Sequence, residues 1–147
     1  MATFNPFLDF TEQLARGVHQ IGTHTYKVAL TNTAPINTQT GWSLANHPAP
    51  VAANGYPAGG ASVTVTISET AGLTTVQGQE VTFTATAGGI GPFRYAVLYN
   101  DTATSPADAA VAFWDYGASI TLGEAEAIKL RFNNQSPGTI LTVAFAA

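Results

Sequence analysis

The chain has no cysteine, which excludes disulfides, thiol nucleophiles and cysteine-ligated metals. It is also poor in charge. Asp, Glu, Lys and Arg make up 10% of its residues, against roughly 25% in an average soluble domain. A surface built instead from Thr, Ala and Gly is neutral and weakly solvated, with little to repel a second copy or a partner. That composition favours a protein that lives inside an assembly. No window approaches the ~18 continuous apolar residues of a spanning helix, so no membrane association is expected. The opening "MATFNPFLDFTEQ" lacks the basic start and apolar run of a secretory signal. Synthesis in a cytoplasm is expected from it.

The cations are few as well. Arg16, Lys27, Arg94, Lys129 and Arg131 are scattered through a chain of net charge −4. A phosphate-binding face needs such residues clustered, so nucleic acid is not an expected partner.

What is present is enough for a core. Hydrophobic residues are 46% of 147, which suits one domain spanning 1–147. Over residues 1–17 the spacing predicts a short N-terminal helix. Asn5 is placed to cap it, Pro6 suits its first position, Phe7, Phe10 (or Leu8) and Leu14 recur at helical intervals, and Gly17 marks its stop. Beyond that point the period becomes two. "THTYKVAL", "SVTVTIS", "EVTFTATA", "FRYAVLY", "VAFWDYG", "AIKLRF" and "TILTVAF" alternate as half-buried strands do. "GGIGP", "YND" and "NNQSPG" read as turns between them. Residues 31–60, with four prolines and several Asn and Gly, read as a long ordered loop or contact arm. The fold class expected is mainly β: an antiparallel β-sandwich or jelly roll with a short N-terminal α-helix and that long arm.

Chemistry is harder to find. His19, His24 and His47 have no ligand spacing that would hold a metal. Asp9 with Glu12, and Glu124 with Glu126, are better read as a helix start and a solvated turn than as an acid–base pair. No G-x-S-x-G elbow and no phosphate-cradling G-K-[ST] occur. No catalytic residue, metal or cofactor is therefore assigned, and the chain is read as a non-enzyme. The aromatics are left over. "FRYAVLY" puts Phe93, Tyr95, Val97 and Tyr99 on one face. "VAFWDYG" puts Val111 and Phe113 on one face and Trp114 and Tyr116 on the other. Strands bulky on both faces need a cover on each. Trp and Tyr are also the usual anchors of protein interfaces. Phe4, Phe7, Trp42, Tyr56, Trp114 and Tyr116 are accordingly the candidate contact residues. The alternative use for Trp42, Tyr56, Trp114 and Tyr116 is a sugar-stacking platform.

"TYKVALTNTAP", "NGYPAGG", "GPFRYAVLYNDTAT" and "FWDYG", in that order, resemble small structural proteins of tailed bacteriophages. The resemblance runs from about Phe4 to Gly117, and "GEAEAIKLRFNNQSPGTILTVAF" fits it more loosely. It implies a virion component made in the host cytoplasm. The expected role is capsid decoration (cement), with the major capsid protein as partner and a symmetric homo-oligomer, the trimer preferred to the dimer. A tail or fibre component with a carbohydrate-binding sandwich is the alternative.

Overall fold

The computed structural model describes residues 3–39, 42, 47, 49–50 and 53–144. The chain runs β1 (Thr3–Pro6), α1 (Phe10–Ala15), β2 (Tyr26–Thr31), β3 (Ala61–Val63), β4 (Val65–Thr70) and β5 (Leu73–Gly78). It continues through β6 (Val81–Thr84), β7 (Ile90–Thr104), β8 (Ala107–Leu122), β9 (Ala127–Leu130) and β10 (Gly138–Ala144). Every strand pairing is antiparallel. The fold is thus mainly β and sandwich-like, as the alternation implies.

One layer is a five-stranded sheet in the order β1-β8-β7-β2-β3. The other comprises a three-stranded sheet, β10-β5-β4, and a two-stranded one, β6-β9. Alternation sorts the side chains of the large sheet into two clusters. Tyr26, Val28, Leu30, Ala96, Leu98, Ala112 and Trp114 join Phe10, Val81, Phe83 and Phe132 in the main core. Ala29, Tyr95, Val97, Tyr99, Ala110 and Phe113 form a second core with Phe7 and Trp42. The large sheet is therefore covered on both sides, which is why β2 shows almost no exposed position.

Several expectations are corrected. The helix does not span 1–17. Asn5 and Pro6 lie in β1, where Phe4 faces Trp114 and Pro6 faces Ala112. Asp9 stands at the N-cap instead, without a side-chain capping bond. An edge strand tolerates Pro6, so the residue that suited a helix start suits this place equally. Gly17 does stop the helix, at φ +78°, as a left-handed C-terminal residue should. "YND" is no turn. It continues β7, and the chain reverses after Thr104. "SVTVTIS" is broken at Thr64 into β3 and β4, which belong to different sheets. β5, "LTTVQG", is a strand without period-two alternation, since its apolar Leu73 and Val76 stand three apart.

The loop at 31–60 is a cover rather than a free arm over the residues described. Residues 40–41, 43–46, 48 and 51–52 lie outside the description. Trp42 and Tyr56 are both buried, in the second and main cores respectively. The Tyr56 hydroxyl accepts a bond from the Leu30 N–H at 3.0 Å. Gly60, at φ +89°, passes so close to β2 that a Cβ there would collide with the Val28 carbonyl. "NGYPAGG" is thus the stretch that lets the loop lie flat against the sheet.

Candidate functional site

The six candidate contact residues fall into three places. Phe7 and Trp42 are in the second core. The Phe7 ring meets Phe113 edge-on at 5.5 Å, and Trp42 packs on Tyr99 at 4.9 Å and on His47 at 5.5 Å. Tyr56 stacks on Phe83 at 5.5 Å in the main core. Phe4, Trp114 and Tyr116 come together elsewhere. The four-residue sugar platform, Trp42 with Tyr56, Trp114 and Tyr116, therefore does not assemble, because the first two are sealed in different cores.

Phe4, Trp114 and Tyr116 line one groove of about 730 Å³. It opens between the β8–β1 side of the large sheet and β9 with the first residues of β10. Phe93, Arg94 and Ala96 come from β7, and Ile128, Lys129 and Leu130 from β9. Arg131, Phe132 and Asn134 follow β9, and Thr139 and Ile140 come from β10. Trp114 is nearly buried, held edge-on between Phe4 at 5.4 Å and Phe132 at 5.5 Å. Phe4 is 46% and Tyr116 54% exposed, so the rim of the groove is aromatic and open.

A bulge produces this rim. Phe93 faces Ile120 while Tyr95 faces Asp115, so Arg94 alone opposes residues 116–119 of β8. A strand that carries extra residues bends and re-aims its side chains. Tyr116 is turned outward by it, and Gly117 takes φ +93°. A glycine inside an otherwise regular strand is the signal that sequence reasoning could have used. The same shift moves Phe93 into the main core, away from Tyr95, Val97 and Tyr99. A second one, at Leu98–Tyr99, places Val111 beside Ala112 instead of Phe113.

Three of the five cations reach this groove, although they are scattered in sequence. Arg94 spans the bulge to Asp115 through two bonds, Nε to Oδ1 at 2.7 Å and Nη2 to Oδ2 at 2.8 Å. Asp115 also accepts the Gly117 N–H at 2.8 Å. These bonds, Arg94 foremost, hold the Asp115 carboxyl below the usual carboxylate range. The carboxylate in turn raises the Arg94 pKa. Lys129, at 3.1 Å, and Arg131 both pair with Glu80. Bonding to Arg131 first and Lys129 second lowers the Glu80 pKa. Arg94 is thus neutralised locally, whereas Lys129 and Arg131 share one carboxylate.

The remaining chemical candidates serve the fold. His19 is buried beside Phe10, 4.9 Å between rings, and burial pushes its pKa down to about 4. Nδ2 of buried Asn100 donates to the Val18 carbonyl at 3.1 Å and lies 2.9 Å from His24 Nδ1. Glu12 pairs with Arg16 one helical turn on, Asp9 accepts from Gln13, and Glu126 accepts the Gly123 N–H. Among the described residues no group of three or more His, Asp or Glu could hold a metal ion.

No family model matches the chain, and neither the curated proteins nor the solved structures yield a match.

Proposed function

We propose that this chain is a non-enzymatic structural protein of a tailed-phage particle, one that decorates and stabilises the capsid by contacts across capsomer boundaries. The observation that carries the reading is the open groove, where exposed Phe4 and Tyr116 flank Trp114. Large aromatics left at a rim beside an apolar wall are the residues that anchor protein contacts. The sequence resemblance to phage structural proteins supplies the setting, and the low charge supports it. The engagement of the histidines and carboxylates in local packing and bonding favours a binding role over a catalytic one.

The mechanism is mass action. A protein that binds the assembled shell better than free subunits stabilises the shell by the difference in binding free energy. Many copies achieve this with individually weak contacts. The major capsid protein is the partner, and a closed symmetric oligomer, a trimer before a dimer, is the form in which the copies act. Synthesis takes place in the host cytoplasm and the working location is the virion.

The test is the stoichiometry of this chain on purified particles, with the major capsid protein as reference. A fixed proportion, at parity or a simple fraction of it, supports decoration. Complete absence from particles overturns the structural reading. A few copies per particle support the second reading, a tail or fibre component that binds host carbohydrate. One feature favours that alternative: Trp114, Tyr116 and Arg94 line the same groove, offering aromatic surface and a polar handle together.

A further inference from the structure

We infer that the groove is a strand-addition site: an extended segment of a partner protein, apolar at alternate positions and acidic at one flank, pairs with the free edge of β9 and lays its apolar side chains over Trp114. This deepens the assembly reading above and depends on it for the partner's location in a particle.

Three observations lead to it. The first is an unpaired edge. Among the described residues β9 pairs only with β6, through Val81–Leu130, Thr82–Lys129, Phe83–Ile128 and Thr84–Ala127. Its other edge has no strand partner among the described residues, and its Ile128, Lys129 and Leu130 line the groove; such an edge is a ready template for a further strand. The second is a space between the layers. Phe4, Trp114 and Tyr116 of the large sheet face β9 and the first residues of β10 across a space of about 730 Å³, which no strand of the described residues fills. A strand added about 4.8 Å beyond β9 would sit over Phe4 and Trp114, at the ~10 Å separation of packed sheets. Its alternate side chains would point into the apolar wall.

The third observation is charge. Lys129 and Arg131 are two residues apart, both about half exposed, and both lean on Glu80. Two cations on one carboxylate leave an excess of one positive charge beside the β9 edge. An acidic residue on the incoming strand matches it. Arg94, already bonded twice to Asp115, adds no such demand. A saccharide would use the aromatic wall and leave the strand edge unmatched. A peptide strand uses both.

The test is made on the intact chain, immobilised and presented with a displayed library of random linear nine-residue peptides. Enriched sequences are synthesised and their affinity measured by fluorescence anisotropy. The expected result is a consensus of alternating apolar residues with an Asp or Glu near one end. Methylating single backbone nitrogens of the selected peptide then reads the pairing without altering the protein. Methylation at alternate positions should weaken binding about tenfold, the worth of one hydrogen bond, and the intervening positions should be indifferent. Arg131→Gln should weaken acidic peptides selectively. The inference is overturned by a library that yields no consensus, by affinity that ignores the position of the methyl group, or by a glycan-array ligand displaced from the groove by Tyr116→Ala. Because this measurement uses the isolated chain, its failure leaves the stoichiometry result standing. Absence of the chain from particles would likewise leave peptide capture standing.

Discussion

The two tryptophans of this chain sit on opposite faces of one sheet, and their surroundings differ in a single respect. Trp42 is wholly buried, packed on Tyr99 and on His47. Trp114 is nearly as buried, yet its cover consists of Phe4, itself half exposed, and Phe132, just beyond β9, a strand paired on one side only. One face is closed by Phe7 and Trp42 of the chain itself. The other stays open along the β9 edge. Burial of a residue therefore says less about its role than the identity of what buries it. The open face is the one with room for a partner.

The closed face should fail most severely when disturbed. Replacing residues 36–58 with a short linker removes Trp42 from one core and Tyr56 from the other, and the product should not fold. Near-UV circular dichroism showing intact tertiary signal would contradict this. Trp42→Ala alone should cost about 3–5 kcal/mol in guanidinium unfolding, the usual range for deleting a buried large aromatic. Tyr56→Phe is subtler. It keeps the ring on Phe83 but strips the Leu30 N–H of its acceptor, a loss of about 1–3 kcal/mol for a buried donor left unpaired. A smaller cost would mean that another acceptor reaches that amide.

The contrast between the faces explains which parts of the molecule the sequence discloses. Strand existence is legible because Val81 and Phe83 alternate with the polar Thr82 and Thr84. What covers a strand is not legible, because alternation is a local property and the cover is a long-range one. Trp42 has the same residue type whether it points at its own sheet or at another protein. The groove is legible in part. Trp114 and Tyr116 belong to a conspicuous aromatic run, and Phe4 is an aromatic of the same kind near the start of the chain. Their convergence depends on two register effects: the pairing of β1 with β8, and the bulge opposite Arg94. Gly117 hints at the second, and nothing local hints at the first. The gathering of Arg94, Lys129 and Arg131 was unreadable for the same reason, since the cations come from strands that meet only in the folded layers.

Acid sharpens the comparison next, because an enclosed part of the main core and the open end of the groove respond in different pH ranges. His19 is buried against the rings of Phe10 and Tyr26 of the main core, and burial holds its pKa at about 4 against an ordinary 6.5. The unfolded chain therefore binds a proton that the folded chain refuses. Stability should fall as pH drops from 6.5 towards 4 and, for this residue, fall no further below that. Asp115 and Glu80 at the open end have depressed pKa values instead. Their contribution is present above the ordinary carboxylate range and lost only as pH falls below it. Guanidinium midpoints at pH 7, 5 and 3 should separate the two. His19→Gln should flatten the fall between pH 7 and 5, and leave the steeper loss near pH 3 unchanged.

The smallest effects on stability belong to the open rim, and they matter most for function. Phe4 and Tyr116 are about half exposed, so Phe4→Ala and Tyr116→Ala should each lower stability by less than about 1 kcal/mol. Phe4 should cost the more of the two, because it loses its edge contact with Trp114 at 5.4 Å. Residues selected for the fold show the opposite pattern, a large loss of stability with no separate loss of binding. If the rim exists for a partner, the double variant should unfold close to the parent midpoint while its retention on particles falls by tenfold or more. Retention equal to that of the parent would move the contact surface away from the groove. A midpoint shifted as far as that of Trp42→Ala would show that the rim is a second lid on the core, and the distinction between a closed and an open face would disappear.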